Sequence, residues 1–175
     1  PVPFRPVRSP HPAPPEAPLE APVLELGRRA PAFTLADANG KKRRLGEFAG
    51  RWVVLYFYPK DDTPGCTQEA CDFRDNLAAL KKSKAQIFGV SILDEKSKKK
   101  FATKHGLNFP LLADADHAVA EKYGVWQEKL RYGRKYMGIV RTTYLIGADG
   151  KVSKRWDKVK VDGHAADVLS ALRPA

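Results

Sequence analysis

The chain has 175 residues, 43% of them apolar, with 31 Lys and Arg against 20 Asp and Glu for a formal net charge of +11, which suits one domain with its own core and crowds two. Two cysteines are too few for the disulfide framework of a small secreted protein, and no apolar run reaches the roughly 18 residues a membrane-spanning helix needs. The positive charge raises a nucleic-acid reading. Its lysines, however, gather in Lys81–Lys84, Lys96–Lys100 and Lys151–Lys160 without stacking aromatics or a groove-reading motif, so a solvated basic surface is expected and specific nucleic-acid binding is not.

Nine of the 14 prolines precede residue 23, in a segment with little to bury. Residues 1–24 are therefore read as an unstructured or polyproline-like extension, and 25–175 as the folded domain. The chain begins at Pro1 without Met, which is read as a trace of processing. The expected compartment is a bacterial-type cytoplasm, where a cycling thiol pair stays reduced, with a processed periplasmic or organellar form as the alternative.

Phe33–Leu35 and Arg43–Leu45 flank Asp37-Ala38-Asn39-Gly40, which predicts a short hairpin near a sheet edge with Asn-Gly in its turn. Trp52–Tyr58 is β-branched and aromatic without polar alternation, the pattern of a strand covered on both faces. Pro59 stops it. Thr63 then predicts an N-cap with Pro64 at the first helical position, and Cys66, Ala70, Phe73, Leu77 and Leu80 recur on one helical stripe. Gln86–Ile92 reads as the next strand, parallel to the first and reached by a right-handed crossover. Glu95–His105 predicts a polar helix closed by Gly106, and 115–122 a short helix capped by Asp114. Residues 127–138 are basic and glycine-containing and are read as a loop. Thr142–Gly147 and Val152–Trp156 around Asp149-Gly150 predict a second hairpin, and a final helix opens at Asp162-Gly163 with Ala165, Val168, Leu169 and Leu172 on one face. The sum is an α/β layered domain.

Cys66 falls in the first turn of its helix, where the N–H groups of Gly65 and Cys66 have no intrahelical partner and the macrodipole favours an anionic, reactive sulfur. A buried structural cysteine is the plainer alternative. Cys71 follows five residues on. In a helix the two Cα atoms lie about 8 to 9 Å apart and point about 140° away from each other, beyond the roughly 7 Å limit of a disulfide. The residues thus leave two readings open: thiols that never meet, or a reactive pair that joins only when the helix start unwinds. The two cysteines with His11, His105, His117 and His164 show no zinc spacing, so neither metal nor cofactor is expected and the histidines are read as solvent-facing or capping. Glu69 and Arg74 read as structural or solvated residues of a helix face.

The run from Tyr58-Pro59 through Cys66, with the pattern Pro-x-x-x-Thr-x-x-Cys, resembles the active-site motif of peroxiredoxins, and Cys71 resembles the resolving position of the bacterioferritin comigratory protein or peroxiredoxin Q branch. Phe109–Asp114, Tyr123–Trp126, Gly133–Ile139 and Arg141–Ile146 are similar to that branch in order and spacing, and the likeness runs from Leu26 to Leu172. The resemblance implies a thioredoxin fold with the peroxiredoxin N-terminal hairpin and a central mixed sheet flanked by helices. It implies that Cys66 attacks hydrogen peroxide or an organic hydroperoxide and becomes a sulfenic acid. Thr63 and Arg141 would orient thiolate and peroxide, the Gly65 and Cys66 N–H groups would bind the peroxide, and Pro59 would shield the pocket. Cys71 would close an intrachain Cys66–Cys71 disulfide, reopened by thioredoxin or a similar dithiol protein, in a monomer serving antioxidant defence. Taken by themselves, Thr63 reads as a cap, Pro59 as a strand stop and Arg141 as a surface or ion-paired residue. Two rival functions are weaker: a thioredoxin-like disulfide reductase calls for Cys-x-x-Cys, which is absent, and a nucleic-acid module has only charge behind it.

Overall fold

A strand with no polar face needs cover on both sides, and the computed structural model, which describes residues 24–172, supplies it. The elements in order are strands β1 (Thr34–Asp37), β2 (Lys42–Arg44) and β3 (Trp52–Phe57), helices α1 (Pro64–Asp75) and α2 (Leu77–Lys82), β4 (Ala85–Ser91), α3 (Glu95–His105), β5 (Leu111–Ala113), α4 (Ala118–Lys122), β6 (Trp126–Arg131), β7 (Arg134–Ile139), β8 (Thr142–Ile146), β9 (Val152–Trp156) and α5 (His164–Ala171). Seven strands form a mixed sheet in the order β2-β1-β5-β4-β3-β8-β9, while β6 and β7 pair as a separate ribbon. β3 lies between parallel β4 and antiparallel β8, and both hairpins flanking the parallel unit are antiparallel as expected.

The pleat of β3 sorts the core. Val54 and Tyr56 point to the face covered by α1, α2, α3 and α5, whereas Val53, Leu55 and Phe57 point to the face closed by Phe33, Val119, Ala120 and Tyr123. Tyr56 stands opposite Gly89 of β4, and a Cβ there would come within 2.7 Å of the tyrosine ring and 2.9 Å of Leu111. Only glycine lets the ring lie that close to the neighbouring backbone. In the first hairpin Asp37 Oδ1 accepts from the N–H groups of Asn39 and Lys41 at 2.9 and 3.0 Å, and Gly40 takes φ 79°, so the Asn-Gly signal marks a three-residue turn.

Several expectations need correction. The helix carrying the cysteines breaks at Asn76, whose Nδ2 donates to the Asp72 carbonyl at 2.8 Å, although the apolar stripe stays buried through both pieces. The stretch 127–138 is not a loop but the arms of the β6–β7 ribbon, closed by Tyr132-Gly133 with φ of 50° and 73°. A two-residue turn with both φ positive matches the strand twist, but tyrosine is an unusual occupant and gave no turn signal. The short helix α4 starts at Ala118, with Asp114 accepting from the Val119 and Ala120 N–H groups at 3.2 and 2.8 Å, so Asp114 caps it from further upstream. His164 is buried rather than solvent-facing and makes a 2.7 Å hydrogen bond with Thr143 Oγ1. Of the Pro-rich segment only Leu24 is described, its carbonyl accepting from Arg155 Nη1 at 2.7 Å; residues 1–23, with His11, lie outside the described residues.

Candidate active site

Where β3 ends, Tyr58 is still buried and Pro59 half-buried, and the chain turns through Lys60–Thr63 into α1. Thr63 holds the N-cap position in extended backbone, but its hydroxyl donates to the Lys60 carbonyl at 3.0 Å instead of accepting from the helix, which corrects the expected cap. The segment before it is tied to α3 twice. Asp61 is buried and accepts from the Tyr58 hydroxyl, from Ser97 Oγ at 2.8 Å and from Lys98 Nζ at 3.2 Å on each oxygen. Asp62, in left-handed backbone at φ 59°, meets Lys104 Nζ at 2.8 Å and His105 Nε2 at 3.0 Å, and these hydrogen bonds hold its carboxyl below the usual range.

Lys98 belongs to the lysine run expected to be solvated, yet it is fully buried, with Ser91 Oγ completing its shell. Burial pushes its ammonium down, and Asp61 opposes that shift. The reason is the face: Lys98 and Phe101 lie on the buried side of α3, and the long lysine stem fills space as an apolar chain does.

Cys66 sits in the first turn of α1 and is 2% exposed. Its Sγ accepts from Arg141 Nη2 at 3.1 Å, while Arg141 Nη1 donates to Glu69 Oε1 at 2.7 Å. Thr67 N–H is taken by the Thr63 carbonyl at 2.8 Å, and the N–H groups of Gly65 and Cys66, at the helix start, find no acceptor among the described residues. Gly65 leaves room for the guanidinium, since a Cβ there would lie 3.3 Å from Arg141 Nη2, a tight contact. Arg141 follows β7 in the short link to β8 and is held through its backbone, its carbonyl accepting from Val159 N–H at 3.0 Å. Lys129 of β6 donates to the Ile139 carbonyl at 2.8 Å; its ammonium is pushed down by burial and by Arg141 and drawn back up by Cys66, so it stands within electrostatic reach of the sulfur.

Glu69 corrects the expectation most. It is buried, bound to Arg141 by one oxygen, and its Oε2 has no hydrogen-bond partner among the described residues. Burial pushes its carboxyl up to about 7 against the downward pull of Arg141. The Tyr56 hydroxyl beneath is also without a partner, and burial, Glu69 and Cys66 all raise its pKa. Arg74, by contrast, meets Asp75 at 2.9 Å and donates to the His105 carbonyl at 2.6 Å. The sequence did carry a signal for Glu69: three residues after Cys66, it lies on the same buried helix face.

The structure therefore brings Gly65, Cys66, Glu69 and Arg141 together. Thr63 and Pro59 border them, and Cys71 stands apart, half-buried on the other side of an intact α1, with both thiols free. A sulfur at a helix start, with a guanidinium and two unpaired N–H groups beside it, is placed to attack an electrophile and to have charge on the leaving atom stabilised.

The model of the AhpC/TSA family matches residues 26–155. A putative Bcp peroxiredoxin of Coxiella burnetii is 49% identical over 149 residues, covering 85% of this chain and 99% of the relative. The chain belongs to the peroxiredoxins of the AhpC/TSA family. Peroxiredoxin Bcp of Bacillus subtilis is 45% identical over 151 residues, 86% of this chain and 96% of its own. Among solved structures, the bacterioferritin comigratory protein of Xanthomonas campestris, studied for alkyl peroxide reduction, superposes with a TM-score of 0.79 at 44% identity, covering 86% of this chain and 96% of that one. A Xylella fastidiosa peroxiredoxin Q mutant gives 0.81 at 35% identity, covering 85% and 95%. This peroxiredoxin is thus a thiol peroxidase on a thioredoxin fold.

Proposed function

We propose that Cys66 is the peroxidatic nucleophile, that Arg141 and the Gly65 and Cys66 N–H groups hold the peroxide, and that Cys71 resolves the product for a dithiol protein of the thioredoxin type to recycle. The observation that carries the reading is the chain Glu69–Arg141–Cys66, with the guanidinium 3.1 Å from Sγ on one side and 2.7 Å from a buried carboxylate on the other. A guanidinium so held donates to a thiolate and to a peroxide oxygen lying beside it. The thiolate attacks one peroxide oxygen, an S–O bond forms as the O–O bond breaks, and the departing oxygen leaves with the electron pair and takes a proton to become water or an alcohol. Sulfur is oxidised to a sulfenic acid, which condenses with a thiol to a disulfide and water.

Cys71 is the thiol in the chain that can do this, and the spacing requires α1 to open at its start. At that start Pro64 donates no hydrogen bond, and the Thr67 N–H to Thr63 carbonyl bond and the Arg141–Sγ contact must part together with the helical bonds between residues 64 and 71. The pins on Asp61 and Asp62 keep the segment before Thr63 in place meanwhile. The relative's action on alkyl peroxides supports organic hydroperoxides as substrates beside hydrogen peroxide. Mass spectrometry after one equivalent of hydrogen peroxide tests the scheme. The native protein should lose two hydrogens and gain an intrachain Cys66–Cys71 bond, Cys71→Ser should carry one added oxygen on Cys66 and over-oxidise with more peroxide, and Cys66→Ser should consume none. Undiminished thioredoxin-driven turnover of Cys71→Ser would remove Cys71 from the scheme, and peroxide consumption by Cys66→Ser would remove the scheme itself.

A further inference from the structure

Large apolar side chains left exposed among the described residues are Leu26, Leu130, Tyr132, Tyr136 and Met137, and four of these five lie on the β6–β7 ribbon, with Leu130 70% and Tyr132 92% exposed. A two-stranded ribbon is at best marginally stable in water, and a cluster of exposed apolar groups marks a contact surface more often than chance. The pairing Leu130↔Lys135 and Lys129↔Tyr136 sets Leu130 and Met137 on one side of the ribbon and Tyr136 on the other, with Tyr132 at the tip. Cations interleave them: Lys129, Arg131, Arg134 and Lys135, against the one carboxylate of Glu128, which Lys135 approaches at 3.7 Å. The root of the ribbon adjoins the active site, since Lys129 Nζ donates to the Ile139 carbonyl at 2.8 Å and Arg141, which bonds Cys66 Sγ at 3.1 Å, comes two residues after β7.

We propose that the outer part of this ribbon, from Leu130 to Met137, is the docking surface for the dithiol protein that recycles the enzyme, a partner whose reactive thiol sits in an apolar face rimmed by carboxylates; this rests on the reading that a Cys66–Cys71 disulfide is reduced by such a protein. Recycling requires the partner's thiolate to attack one sulfur of the disulfide, forming a mixed disulfide and releasing the other as a thiolate. The partner's second thiol then attacks the mixed disulfide, so the partner leaves oxidised and both cysteines leave reduced. One of the two sulfurs, that of Cys66, bonds Arg141, two residues beyond the ribbon. The charge argues for an acidic partner: a cationic finger on a chain of net charge +11 speeds encounter with carboxylates. It argues against a second copy, which would set the same cations face to face. A hydroperoxide is too small to cover two sides and a tip.

Two variants in the full chain test this: Leu130→Ser/Tyr132→Ser/Met137→Ser, which removes the apolar contacts, and Arg134→Glu/Lys135→Glu, which reverses the charge. Single-turnover oxidation by hydrogen peroxide and by cumene hydroperoxide, and steady-state turnover with dithiothreitol, should stay within about twofold of the native protein, while KM for a bacterial thioredoxin rises about tenfold or more, the shift that losing a few interface anchors produces. Added salt should bring the native KM toward that of the charge variant. An unchanged KM for thioredoxin overturns the ribbon alone. Slower reaction with cumene hydroperoxide at an unchanged hydrogen peroxide rate would make the ribbon a substrate wall, and a native dimer that the variants split would make it a self-association surface; either result overturns the proposal. A native protein that turns over with dithiothreitol but not with thioredoxin overturns the recycling reading, and the ribbon's role with it.

Discussion

Asp61 and Glu69 are both buried carboxylates, one on each side of Cys66, and their surroundings are opposite. Asp61 receives the Tyr58 hydroxyl, the Ser97 hydroxyl and the Lys98 ammonium, so both of its oxygens are satisfied. Glu69 has Arg141 on one oxygen and nothing on the other, and burial lifts it to about 7. A satisfied buried ion pair holds its element in one place, whereas a half-satisfied one keeps its strength conditional on ionisation. The contrast divides the site into an anchored approach, Tyr58–Asp62 tied to α3, and a helix start that the proposed disulfide would require to open.

The largest effect that would break this contrast lies on the anchored side. Lys98→Met leaves the Asp61 carboxylate buried without its cation, and the urea midpoint should report a loss of about 3–5 kcal/mol, most of it recovered in Asp61→Asn/Lys98→Met. Glu69→Gln at neutral pH should cost under about 1 kcal/mol, because the amide oxygen still accepts from Arg141. Equal losses would show that the two carboxylates are held alike.

Titration sharpens it next. A carboxyl raised from 4.5 to about 7 holds its proton in the folded state after the unfolded chain has lost it, so this group's contribution to stability falls as pH rises through that window, by up to about 3 kcal/mol. His164 runs the other way. Burial lowers it from 6.5 to about 4, so the unfolded chain gains a proton first on acidification, and stability is lost as pH falls from 6.5 to 4. The two slopes oppose each other in the native protein. Urea unfolding from pH 4 to 7 should show stability rising with pH in Glu69→Gln and falling with pH in His164→Gln; parallel curves would mean that neither group titrates in its predicted window.

A smaller effect appears in kinetics. Glu69→Gln exchanges a charge-assisted bond to Arg141 for a neutral one of about half the strength, so the stopped-flow rate of Cys66 with hydrogen peroxide should drop about tenfold, while Asp61→Asn/Lys98→Met changes that rate much less. The smallest concerns Gly65→Ala, whose methyl meets Arg141 Nη2 at 3.3 Å and must displace the guanidinium by a few tenths of an ångström. A rate loss of about two- to threefold is expected, with stability within about 1 kcal/mol, since alanine favours the helix.

What the sequence made legible follows from where one physical cause dominates. The Trp52–Phe57 run has no polar face, Asn39-Gly40 and Asp149-Gly150 have few uses outside turns, and Thr63-Pro64 starts helices, so the sheet centre, both hairpins and the position of Cys66 could be read. The β6–β7 ribbon could not, because neither of its sides is buried along its length and its charges show no alternation. Lys98 was hidden among its neighbours in Lys96–Lys100, since burial of one lysine in four depends on which helix face meets Asp61, a tertiary fact. Arg141 and Glu69 were each visible, but their meeting joins residues far apart in the chain and rests on β8 pairing with β3. The motif likeness supplied Arg141 and was silent on Glu69.

Gly89 touches none of the reacting groups, yet it fixes the height at which they stand. Because β4 offers no methyl there, the Tyr56 ring settles against bare backbone and leaves room above for Ala70, Phe73 and the sulfur itself. An alanine in its place would force the Tyr56 ring or Leu111 to move, so the packing beneath Cys66 depends on a residue of the adjacent strand.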